Sequence, residues 1–212
     1  MTSREIEKQL IIQGYPSIAG LDEVGRGCIA GPVAAGVVIF PPDVDDSLLA
    51  EIRDSKKLSH KMRLNLQEVI VANALVAEVG WSSVVEIDDI GIVAATKLAM
   101  ERAIGKSPVP PDYLLVDALE IKWGQTPVRA IIKGDDISTT IAAASIVAKV
   151  TRDEYMVNLG EKFPSYHFDK NKGYGTRDHV RALRYFGPCD AHRTTFEPIA
   201  SMGFHGRNHA NL

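Results

Sequence analysis

Four acidic residues sit where a carboxylate is costly. Asp22 and Glu23 end the run Ile18-Ala19-Gly20-Leu21, Asp117 ends Leu114-Leu115-Val116, and Asp135 follows Ala130-Ile131-Ile132-Lys133-Gly134. A charge in or beside an apolar strand must be paired, hydrogen-bonded or bound to a cation. Taken singly, each acid reads more simply as a turn or capping residue. If they meet, their hard oxygens suit Mg2+ or Mn2+, and two such ions can activate water and steady a leaving oxygen in phosphoryl transfer. Sequence distance alone does not bring Asp22 to Asp117. Asp22 and Glu23 are adjacent and face opposite sides of a regular strand, so both serve one site only if the strand ends or twists there. Gly25 and Gly27 make such a change of direction cheap. Asp22 is the direct ligand in this reading, with Glu23 reaching the metals from another angle or through water.

Residues suited to phosphate and sugar surround these acids in the sequence. Gly25-Arg26-Gly27 reads as an ordinary turn, or as a loop whose backbone approaches a duplex and hydrogen-bonds a ribose 2′-hydroxyl. Arg26 could then meet a phosphate in a fork geometry. Lys56 and Lys57, in a polar loop before a helix, are candidate phosphate ligands or simply an exposed basic loop. Ser138, Ser145, Lys149 and Arg152 fall along one stripe of an otherwise apolar helix, where cations need counter-charges, a phosphate or solvent. The stretch Phe163–Gly175 interleaves aromatics with lysines, a pattern that stacks on sugars or bases, or packs a surface loop. His179, His192 and the tail histidines lack metal spacing and read mostly as surface or packing residues. His192-Arg193 is a weaker candidate for positioning substrate.

Periodicity and turn chemistry give the strands and helices on which these residues would sit. Strands are expected over Ser17–Val24, Val33–Phe40, Leu75–Trp81, Tyr113–Leu119 and Val128–Lys133. Helices are expected over His60–Ala72 with Ser59 as N-cap, Asp88–Ile104, Ile137–Leu159 and Thr176–Phe186, the last closed by Gly187 and Pro188. Glu161–Gly175 looks irregular. Alternating strands and helices after an initial hairpin point to an α/β fold, a mixed central sheet flanked by helices.

The chain has 212 residues and a net charge of −3, enough for one domain, and its acidity alone argues weakly against nucleic acid. Basic residues are nonetheless concentrated over Glu51–Arg63 and Ser145–Arg193, so local basic surfaces can flank an acidic pocket. The N-terminus carries charges and no secretory apolar stretch. The longest apolar runs fall far short of the roughly 20 residues of a membrane span. Only two cysteines occur, Cys28 and Cys189, without metal spacing, which suits a reducing cytoplasm.

Together the motifs Ala19–Gly27, Asp54–Leu58, Leu115–Asp117, Lys133–Asp135, Ala142–Asp153 and Lys172–Tyr174 resemble, in order and approximate spacing, the type 2 ribonucleases H, bacterial ribonuclease HII. The resemblance spans about Ile18 to Phe196 and implies a ribonuclease H-like fold with a helical C-terminal extension. A single domain is expected: residues 1–16 as an N-terminal extension, 155–200 as a substrate-contacting segment and the polar stretch 202–212 as a flexible tail. The resemblance is to the single-domain form, without the extra N-terminal domain of ribonucleases HIII. A catalytic and metal-binding quartet is implied at Asp22, Glu23, Asp117 and Asp135. Asp136 competes for the last place, but the family's acid directly follows Lys-Gly. The implied activity is endonucleolytic, on the RNA strand of RNA–DNA hybrids and 5′ of single ribonucleotides in duplex DNA, giving 3′-hydroxyl and 5′-phosphate ends. Gly25, Arg26 and Gly27 would contact the 2′-hydroxyl, and Tyr174 would stack on the neighbouring deoxyribose. Ser145, Lys149, Arg152, Lys56 and Lys57 would be further substrate contacts, Mn2+ or Mg2+ the cofactor, and a monomer the working form. A DNA nuclease of the same superfamily and a non-catalytic hybrid-binding module are the alternatives.

Overall fold

Ile18–Val24 and Val33–Ile39 form β1 and β2, an antiparallel pair in which Leu21 lies opposite Val37 and Asp22 opposite Gly36. Every residue of β2 is buried, because helices cover both faces of the sheet, and its sequence is accordingly apolar throughout. A computed structural model describes residues 2–49, 51–52 and 59–203. In it β3 (Val76–Ser82) pairs antiparallel with β2, while β4 (Tyr113–Asp117) and β5 (Val128–Ile131) add in parallel beyond β1. The resulting order, β3-β2-β1-β4-β5, is the mixed sheet that the sequence pattern predicts.

Helix α4 (Ile92–Gly105) packs Ala95, Ala99, Met100 and Ala103 against Ala19, Leu21, Ala35 and Val37 on one face. The opposite face receives α5 (Thr139–Lys162), with α2 (His60–Asn73) contributing Leu66 and Ile70. Ser59 caps α2 as expected, its Oγ accepting from the Met62 amide. Helix α5 sits unusually close to the sheet. A Cβ at Gly20 would collide with the Thr140 carbonyl, and one at Gly36 with that of Ala144. Backbone on both sides leaves nothing to yield, so Gly20→Ala is expected to cost about 1–3 kcal/mol of stability. Urea denaturation measures it, and an unchanged midpoint would refute the close-packing account.

Two expectations need correction, the helix over Asp88–Ile104 and the irregular stretch Glu161–Gly175. The single helix over Asp88–Ile104 is two, α3 (Val84–Ile90) and α4, parted at Gly91 with φ of 79°. A capping box of Ser83 and Glu86 starts α3 earlier than apolar periodicity suggests, because reciprocal hydrogen bonds satisfy its first amides. The expected N-terminal extension, described from residue 2, carries a helix of its own. Helix α1 (Glu5–Ile12) buries Leu10 against Ile18, Leu115, Ile131 and Ile141. Its Glu7 accepts from the Ser138 hydroxyl at 2.6 Å and the Thr140 amide at 3.1 Å, placing a carboxylate at the N-terminus of α5. Finally, Glu161–Gly175 is ordered by a 3-10 turn at Pro164–Tyr166 and a short helix α6 (Phe168–Asn171). Helix α7 (Arg177–Phe186) follows, capped by Thr176. Of the expected tail, residues 204–212 lie outside the described residues.

Candidate active site

Parallel pairing of β1 with β4 solves the problem of distance. Leu21 is in register with Val116, so the next residues, Asp22 and Asp117, leave the two strands side by side. Alternation puts Asp22 on the α5 face with Gly20, and Asp117 on the same face as Leu115, which packs on Ile141 of α5. Asp117 Oδ1 accepts from the Gly134 amide at 2.7 Å. That bond ties β4 to the 3-10 turn Gly134–Asp136, in which Asp135 is 4% exposed. Glu23 lies on the other side of β1 near its end, and its Oε1 accepts from Arg26 Nη1 at 3.0 Å.

The four carboxylates feel one another. Asp22 is 6% exposed, and its carboxyl is pushed well above the usual range, first by burial. Glu23, Asp117 and Asp135 add to that rise, against a hydrogen bond from Ser145. Glu23 is also raised, mainly by burial and further by Asp117, with Arg26 opposing. Its Oε2 is buried with no hydrogen-bond partner among the described residues. Crowded hard oxygens with a deficit of positive charge fit a divalent cation. The side chains do not by themselves enclose one point, and no group of three or more His, Cys, Asp or Glu is disposed to hold a metal among the described residues. Glu23 is turned to Arg26, and Asp117 to the Gly134 amide. Fit therefore rests on donor chemistry and charge rather than on a closed ligand cage.

Gly25, Arg26 and Gly27 form the turn that leaves β1 beside these acids. Gly25 has φ of 92°, and a Cβ there would strike the Arg152 guanidinium, so only glycine fits. Gly27 is exposed with open space above it. Two buried arginines brace this region, Arg193 through carbonyls of the turn itself and Arg152 through those of neighbouring loops. Arg193 donates to the carbonyls of Gly25 at 2.7 Å, Arg26 at 3.0 Å, and Gly31 at 3.0 and 2.8 Å. Arg152 donates to Pro32, Lys172 and Ala30.

Several expected substrate contacts change meaning here. Arg152 is 0% exposed and has its donors on carbonyls, so it braces the loops instead of facing a phosphate. The counter-charge sought for it in the sequence is supplied by carbonyl dipoles. The Ser145 hydroxyl is directed to Asp22. Lys149 pairs with Asp153 at 2.8 Å and also lies 5.7 Å from the centre of the Tyr174 ring. Tyr174 is 41% exposed and offers its ring at the surface. Lys56 and Lys57 lie outside the described residues. Arg193 is the residue whose part sequence reasoning left weakest; its only signal was its neighbour His192.

Comparison with known proteins identifies the family and the fold. The family model described as Ribonuclease HII matches residues 19–199. A ribonuclease HII of Chlamydia caviae is 47% identical over 197 residues, covering 92% of this chain and 91% of that protein. The ribonuclease HII of Archaeoglobus fulgidus, solved in complex with PCNA, superposes with a TM-score of 0.71 at 26% identity, covering 85% of this chain and 95% of that one. The Bst ribonuclease HIII solved with Mn2+ shares the fold at a TM-score of 0.67 and 16% identity, covering 87% of this chain and 68% of that one. Sheet, flanking helices and relatives define an endoribonuclease of ribonuclease H-like fold, a phosphodiester hydrolase. The chain belongs to the ribonuclease HII family. Among its described residues no helix is long and apolar enough to cross a membrane.

Proposed function

We propose that this chain cuts the RNA strand of RNA–DNA hybrids and also cuts 5′ of a single ribonucleotide embedded in duplex DNA, leaving 3′-hydroxyl and 5′-phosphate ends. The observation that carries the reading is the meeting of Asp22, Glu23, Asp117 and Asp135 beside the Gly25-Arg26-Gly27 turn. Asp22, Glu23, Asp117 and Asp135 would hold Mn2+ or Mg2+. Bound there, a divalent pair supplies activation of water for in-line attack and neutralises charge developing on the phosphate.

The protein's own groups do the selecting and orienting. The Gly25–Gly27 backbone, held from below by Arg193, would hydrogen-bond a ribose 2′-hydroxyl, the group that separates RNA from DNA at a given position. Arg26 pairs with Glu23 and is part-exposed, so it would be free to meet a bound duplex. Tyr174 provides a face for the adjoining deoxyribose, and Lys149, beside that ring, meets a flanking phosphate. Lys56 and Lys57 are assigned to phosphates as well.

The deciding experiment compares a duplex carrying one ribonucleotide with the same duplex in all-DNA form, with the cut and its end groups mapped. Cleavage 5′ of the ribonucleotide, giving a 3′-hydroxyl, is expected only in the first. Equal cleavage of both would favour a DNA nuclease, and tight binding without turnover a binding module. Tyr174→Ala is expected to lower cleavage at a lone ribonucleotide roughly tenfold, since one stacking contact is worth about 1–3 kcal/mol. Binding at low salt should change less. An unaltered single-turnover rate would remove Tyr174 from the mechanism.

A further inference from the structure

Beneath the surface that carries Tyr174 lies a pair of histidines that the reaction, as described above, does not use. His179, on α7, and His192 are both 0% exposed, and their Nε2 atoms are 3.1 Å apart. The rings of Tyr166 and Phe168 enclose them. The groups facing the pair are the Tyr166 phenol, which donates to the Gly187 carbonyl, and the Cys189 thiol, 3.3 Å from His192 Nδ1.

The hydrogen bonds dictate where the protons are. His192 Nδ1 is 3.0 Å from the Cys189 backbone nitrogen. An amide can only donate, so Nδ1 accepts and the His192 proton sits on Nε2. That proton points at His179 Nε2, which must accept it. The His179 proton is then on Nδ1, 2.8 Å from the Tyr174 carbonyl oxygen. One directed chain results, from the Cys189 amide through His192 and His179 to Tyr174. It is complete only with both rings neutral. Burial agrees, pulling both imidazoles down, His192 to about 4 with help from His179.

The residue after His192 is Arg193, whose guanidinium holds the carbonyls of Gly25, Arg26 and Gly31. The backbone joins the same pieces: Ala30 bridges to His192, and the Ile29 and Ala30 amides donate to Gly173, next to Tyr174. Two consecutive residues thus anchor two separate surface elements. We propose that His192, acting through neutral His179, and Arg193 are positioning residues that fix the spacing between Tyr174 and the Gly25-Arg26-Gly27 turn. The proposal rests on the reading of those two elements as the ones that grip a ribonucleotide and its neighbour. Neither histidine touches substrate. Their effect is to hold Tyr174 where the turn requires it.

The test uses the whole chain and a duplex with one ribonucleotide. His179→Leu and His179→Gln both lose the donor to Tyr174, and the glutamine still offers His192 an acceptor. His179→Asn keeps an N–H near the Nδ1 position. Because a small misplacement of a positioned group is costly in rate, the leucine and glutamine variants are expected to lose about tenfold in kcat. KM should be nearly unchanged, and asparagine, which restores the donor to Tyr174 but not the acceptor for His192, should recover part of the rate. If the leucine variant does not fold, the glutamine variant reads the same missing donor. A folded leucine or glutamine variant with wild-type kcat would overturn the proposal, as would a loss of which asparagine recovers none. Failure of the underlying reading shows differently: the wild-type protein itself would then cut ribose-containing and all-DNA duplexes alike.

Discussion

Asp22→Asn is expected to abolish cleavage while making the protein more stable. Asp22 stands at the centre of the carboxylates, buried, beside three others. Removing one oxygen of a cation-binding set forfeits several kcal/mol of charge stabilisation in the transition state, which corresponds to a rate loss on the order of 10^3-fold or more. Duplex binding should persist, because the bases and the glycine turn are untouched. The stability gain follows from the raised carboxyl. A group that holds its proton more tightly folded than unfolded stabilises the fold below its unfolded value, and that contribution is lost as pH rises through the folded value. At neutral pH and without metal, the raised carboxyl of Asp22 therefore works against folding. A neutral amide removes that cost, worth about 1–2 kcal/mol by analogy with other buried, uncompensated groups. The variant's advantage should shrink on acidification as wild-type Asp22 takes up its proton. Near-normal cleavage with Mg2+ or Mn2+ present would sink the assignment of Asp22. An unchanged melting temperature would sink the electrostatic account while leaving the chemistry standing.

Arg193→Met should do the opposite to stability and the same to activity. The side chain is fully buried and donates to carbonyls of Gly25, Arg26 and Gly31, and the cation also lies 5.0 Å from the Phe196 ring centre. Burial lowers its guanidinium only to about 10, so it is charged at neutral pH. Methionine fills similar volume but leaves those acceptors unpaired. Hydrogen bonds from a charged donor are worth about 1.5–3 kcal/mol each, and even partial replacement by water leaves a loss of about 3 kcal/mol. For a domain of this size that lowers the melting temperature by roughly 10 °C. The loosened Gly25–Gly27 turn should cost cleavage at a lone ribonucleotide even at temperatures where the variant is folded. Arg193→Lys should recover little, since a point charge cannot serve carbonyls lying in several directions. Arg181 is the natural control: its pair with Asp178 is exposed on both sides, so Arg181→Ala should scarcely move either measurement. Equal effects at both positions would contradict the structural reading of Arg193.

Features encoded by a few neighbouring residues are legible before folding. Continuous apolar runs marked β1 and β2, and Ser59 marked the start of α2. Gly187 marked the end of α7, and alanine-rich Ile141–Val150 marked a buried α5. The resemblance carried by the motifs reached the fold and the enzyme class. Local reading erred where two local signals competed, as when periodicity ran across Gly91 and hid the capping box of α3. The remaining features exist only once distant segments have packed together. The meeting of Asp22 with Asp117 depends on strand register between β1 and β4, and the pairing of His179 with His192 on the packing of α7 against a later loop. Whether Arg152 faces a phosphate or the interior depends on which carbonyls lie within its reach. Helical period and caps act over three or four positions and are written in the residues themselves. Burial, charge crowding and the partners of a buried cation are properties of segments brought together from far apart, so no single stretch of chain contains them.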